Sequence, residues 1–190
     1  MKKIIFFIAV VVIGVDITNS KNDIQSSQSY LKQNRAAITS LLETYLKYNR
    51  TQDFSFGFLD NEYKTYMVQV YTDSVRYIYK SDVSILQNFK ELNHTAADRA
   101  KIDEVAQKIR QAKAIWIQSR NVYLSGFEQK AIEVSFKPQM INTPFTPTKF
   151  VTLLVMHNFE NIALDEDELE KFNLYKIEPG IYQTISNQFR

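Results

Sequence analysis

The sequence contains no cysteine, only four glycines and four prolines, two histidines, and almost no net charge over 190 residues. Each shortage excludes something. Without cysteine there is no disulfide, no thiol nucleophile and no cysteine zinc site, and no residue that could carry the lipid of a bacterial lipoprotein. Few Gly and Pro argue against linkers and low-complexity segments, and no internal repeat is visible. His94 and His157 stand apart from each other and from any ligand-spaced partner, so no metal or cofactor is expected. No P-loop, dinucleotide fingerprint or Gly-x-Ser-x-Gly elbow occurs. A net charge of +2 gives no electrostatic case for nucleic acid, which calls for clustered Lys and Arg.

The N-terminus reads as a targeting segment over residues 1–20. Lys2 and Lys3 precede an uninterrupted apolar run from Ile4 to Ile13. That run is shorter than the roughly 20 apolar residues of a membrane span, so a signal peptide is expected. Cleavage after Ser20 would leave 21 basic and 20 acidic side chains, a net +1. No Ala-x-Ala pattern marks the site, so an uncleaved anchor through residues 4–15 stays open. The expected destination is the periplasm or the exterior.

Residues 21–190 read as a single globular α+β domain. Its expected parts are an N-terminal helix, an antiparallel meander, one long central helix, further strands and a short C-terminal helix. Leu31, Ile38, Leu41, Leu42, Tyr45 and Leu46 give the first helix its apolar stripe. From Asp53 the period becomes two: Phe54, Phe56 and Phe58 alternate with small or polar residues, and Tyr-rich runs follow over 63–71 and 75–80. Three strands with short turns are expected, because Tyr and β-branched residues are dense; one helix over 63–92 is the rival reading.

Thr95 to Ser125 reads as the long central helix. Thr95 is a suitable cap. The stripe Ile102, Val105, Ala106, Ile109, Ala112, Trp116 continues to Tyr123, and the elevenfold spacing of Val105, Trp116 and Phe127 suits a straight rod. Lys130 to Lys137 alternates as a half-buried strand, with Ile132, Val134 and Phe136 inward. Two prolines mark residues 142–148 as a loop. Phe150 to Met156 reads as the most buried strand, Asp165 to Phe172 as a short acidic helix, and Glu178-Pro179-Gly180 as a type II turn. The tail is expected to add an edge strand.

By exclusion, the expected function is that of an exported, non-enzymatic binding or accessory protein whose partner is another protein. A small-ligand or sensing domain is the alternative, and a hydrolase a third. The candidate binding surface is aromatic: Tyr63, Tyr66, Tyr71, Tyr77 and Tyr79, with Trp116 facing them across a pocket.

Overall fold

The computed structural model describes residues 2–50, 53–60, 62–71, 76–82, 96–124, 127–136, 150–156, 164 and 166–186. For 2–24, 26, 76–82, 96–99, 124, 127, 150, 185 and 186 the backbone alone is described. The fold is α+β. α1 (Lys2–Asn49) leads into β1 (Phe54–Phe58), β2 (Thr65–Tyr71) and β3 (Arg76–Asp82). Then follow α2 (Ala96–Gln111), β4 (Ala114–Leu124), β5 (Phe127–Phe136), β6 (Phe150–Met156), α3 (Glu166–Lys171), β7 (Tyr175–Glu178) and β8 (Ile181–Ser186).

The eight strands among the described residues form one sheet in the order β3-β2-β1-β4-β5-β6-β8-β7. Every pairing is antiparallel. Neighbours in the sheet are mostly neighbours in sequence. The exceptions are β6 beside β8, with β7 folded back to the edge, and the seam between β1 and β4, where Ser55, Phe56 and Gly57 find partners, against ten register pairs between β4 and β5.

α1 and α2 cover one face of the sheet. The expected stripe of α1 is the buried one: Leu31, Ile38, Leu41 and Tyr45 are all within the main core. They meet Phe56, Val68, Ile117, Val134 and Leu153 from the strands, and Val105 and Ile109 from α2. Two phenols lock this layer. Tyr30 Oη donates to Ala112 O at 2.6 Å, and Tyr45 Oη to Phe54 O at 2.5 Å. Burying a donor among apolar groups demands such a partner.

The central helix is shorter than its apolar spacing suggests. It stops at Gln111, and residues 114–124 are strand β4. Lys113 adopts φ 54°, and its N–H bonds to Arg110 O at 3.0 Å, which reverses the chain at the helix end. The elevenfold spacing was therefore coincidental. Ile115, Trp116 and Ile117 are all buried because a bulge between Ala114 and Trp116 breaks the alternation at the start of β4, which puts Ile115 with Trp116, and Ile117 in the core beneath the helices.

Two smaller corrections follow from the same layering. β5 is buried on both faces rather than half-buried, with Ala131 and Glu133 as enclosed as Ile132 and Val134. The tail strand β8 is internal; the edge belongs to β7. The three-strand meander, the buried β6 and the acidic helix are found as expected, and Gly180 has the positive φ of 73° that the turn requires. The expected cap Thr95, the proline loop and both histidines lie outside the described residues.

Candidate functional site

The sheet face away from α1 and α2 is where the polar chemistry collects. β4 sends Trp116, Gln118, Arg120 and Val122 to that face at period two. A bulge between Ala114 and Trp116 lets Ile115 join Trp116 there and returns Ile117 to the helical side. Trp116 then lies across β1. A Cβ on Gly57 would stand 2.2 Å from Trp116 Cε3 and 2.4 Å from Ile115 O, so only glycine fits beneath the indole.

From the indole a chain of hydrogen bonds runs along the face. Trp116 Nε1–H donates to Gln118 Oε1 at 3.2 Å, and Gln118 Nε2–H donates to Glu133 Oε2. Arg120 Nη1–H donates to Glu133 Oε1 at 3.0 Å. Glu133 sits opposite Gln118 on the neighbouring strand, so cross-strand register makes this contact. The pair is asymmetric in exposure: 2% for the Glu133 side chain and 48% for that of Arg120. A carboxylate sealed in this way is tolerated only when both oxygens are occupied by donors. Its consequence is that the guanidinium is braced from behind while its outer edge faces solvent.

That outer edge borders a cleft beside α3 that encloses about 70 Å³. Leu154, Leu174 and Val122 make its apolar wall, Glu133 and Thr184 line it beside Arg120, and Phe172 forms the rim at 40% exposure. α3 places the rim residue. Asn173 takes φ 50° after the helix, its N–H bonds Glu170 O, and the N–H of Leu174 bonds Leu169 O. This is the Schellman ending, complete with its Leu174–Leu169 apolar cluster. The Lys171 ammonium lies 5.5 Å from the Phe172 ring centroid. Further along the face Tyr71 Oη donates to Gln69 Oε1 at 2.8 Å. Ser55, between Gln69 and Gln118 in register, has a fully buried Oγ with no hydrogen-bond partner among the described residues.

The expected tyrosine surface does not assemble from these residues. Tyr66 is core, stacked on Phe56 beneath the helices, and Tyr63 packs edge-on against Phe58 on the same side. Tyr71 and Trp116 lie on the opposite face, and neither opens into the cleft. Tyr77 and Tyr79 pair in register with Val70 and Val68, and their side chains lie outside the described residues. Sequence reasoning missed Arg120, Glu133 and Phe172. Arg120 was hidden by the helical reading of 114–124; Gln118 and Arg120 at i, i+2 beside Trp116 were the available signal.

Among the described residues, no group of three or more His, Asp or Glu is placed to hold a metal ion. What the arrangement can do is present one fixed, half-exposed cation beside an apolar wall. Compared with known proteins, the chain matches no family model, no curated protein and no solved structure.

Proposed function

We propose that this chain is an exported, non-enzymatic binding protein that engages another protein through the cleft beside α3. The support is one observation: a sealed carboxylate holds a half-exposed arginine at the mouth of a cleft rimmed by an exposed aromatic. Arg and aromatic side chains are the groups that most often anchor protein interfaces. Size also favours a partner's protruding group over a free ligand, since clefts that swallow small molecules usually hold about 300–1,000 Å³. Export rests on Lys2, Lys3 and the apolar run behind them.

The test is a photo-cross-linking amino acid at position 172 of the full chain, expressed in its native host. A partner band that forms from position 172, and not from exposed Lys47 on α1, is the expected result. Equal cross-linking from both positions, or none from 172, would refute the proposal. A sensing role is the second reading, favoured by the bonds that connect Trp116 through Gln118 to Glu133. It requires the indole fluorescence to change when the cleft is filled.

A further inference from the structure

We infer that the group this cleft accepts is the C-terminal carboxylate of a partner polypeptide whose last residue is aliphatic; the inference rests on the protein-binding reading above. Three features select this occupant. Glu133 and Arg120 both line the cleft, but only the guanidinium is open to solvent, so the accessible polar group there is the cation and suits an anion. Both Glu133 oxygens already accept hydrogen bonds, so the carboxylate is not free to bind an incoming ammonium. The Arg120 fork has further N–H donors beyond the one given to Glu133, and a planar guanidinium matches a carboxylate in shape. Lys171, beside the Phe172 ring, adds a second positive charge at the rim.

The apolar half decides which carboxylate. Leu154, Leu174 and Val122 stand against Arg120 in a space of about 70 Å³. The anion and an aliphatic branch must therefore arrive together. In a chain end the carboxylate and the side chain are borne on one carbon. An internal Asp or Glu has no such branch beside its carboxylate. The acidic side chains of α3, Glu166, Asp167, Glu168 and Glu170, do not line the cleft; three are exposed and Glu168 partly buried. They set a negative neighbourhood that the guanidinium must outweigh at contact distance, so recognition here is short-range and geometric.

The probes are N-acetyl-leucine and its neutral analogue N-acetyl-leucinamide, titrated into the full chain and followed by NMR. The carboxylate is expected to shift the Arg120 Nε–H and the Phe172 and Leu174 amides saturably. The amide should bind at least tenfold more weakly. In R120Q/E133Q, which leaves no buried charge unpaired, the two probes should bind alike. Equal binding of both probes to the wild-type chain, or saturable shifts elsewhere, overturns the inference. The comparison of two probes on unaltered protein does not depend on any variant folding. Cross-links from position 172 that persist while the two probes bind alike would keep the protein-binding reading and remove this one.

Discussion

Gly57 and Trp116 fit each other atom by atom, and the fit leaves no room for a methyl group. One of the obstructing atoms is the backbone oxygen of Ile115, which cannot rotate away. Gly57→Ala should therefore destabilise by about 3 kcal/mol, at the upper end for overpacking. We expect a fall in thermal midpoint of roughly 6–12 °C and a red-shifted indole emission. An unchanged midpoint would show that the strands separate without cost. Asp60 works by charge instead of shape. Its carboxylate accepts the N–H groups of Glu62 at 2.9 Å, Lys64 at 3.0 Å and Thr65 at 2.5 Å in the turn from β1 to β2. Partial desolvation opposes ionisation, but the three backbone donors outweigh it and hold the carboxyl below its ordinary value. A lowered folded value contributes stability above the unfolded value near 4, lost as pH falls through the folded one. Asp60→Asn should cost about 1 kcal/mol at neutral pH. The gap from wild type should narrow as pH falls below about 4 in parallel urea titrations. A gap that persists there would assign the effect to packing.

At the scale of elements, the end of α2 carries the largest difference between pattern and structure. Lys113 holds a left-handed conformation that costs an L-residue with a Cβ roughly 1 kcal/mol or more, whereas Asn173 in the same role after α3 belongs to a residue type that visits this region readily. Lys113→Gly is expected to raise the thermal midpoint by a few degrees, and Asn173→Gly to leave it nearly unchanged. A loss of stability in Lys113→Gly would mean that the lysine side chain supports the turn. The same position explains why the helix end was not legible: no glycine or proline marks it, and the following Ile115-Trp116-Ile117 run satisfies helical and strand patterns alike. The meander was legible, because Phe54, Phe56 and Phe58 alternate with residues too small or polar to share their face. Glu133 was not. It occupies the outward position of an alternating strand, and only the partners brought by Gln118 and Arg120 make that position an interior one. The site was hidden for the same reason, since a pair made across β4 and β5 cannot be seen while one of the two is read as helix.

Across the whole molecule, α1 is tied to the rest by two of its phenols, Tyr45 buried and Tyr30 partly so. Burial pushes both the Tyr30 and Tyr45 hydroxyls up, with smaller contributions from Tyr63 and Asp53 respectively. Raised folded values keep stability intact below the unfolded value near 10 and remove it as pH climbs further. After exposed phenols such as Tyr123 ionise, a further cooperative rise in tyrosinate absorbance should coincide with loss of far-ultraviolet dichroism. Ionisation of all eleven tyrosines without loss of helix would show that the α1 phenols are open to water. The sheet has its own division. Its two flanks pair mostly between strands near in sequence, with β8 beside β6 as the one skip, and among the described residues they join where Ser55 to Gly57 meet Trp116 to Gln118. Each flank can zip from contacts local in sequence, while the joint must close a loop of about sixty residues against chain entropy. Folding of this chain thus has one slow event built into its topology: two preformed half-sheets waiting for a three-residue latch.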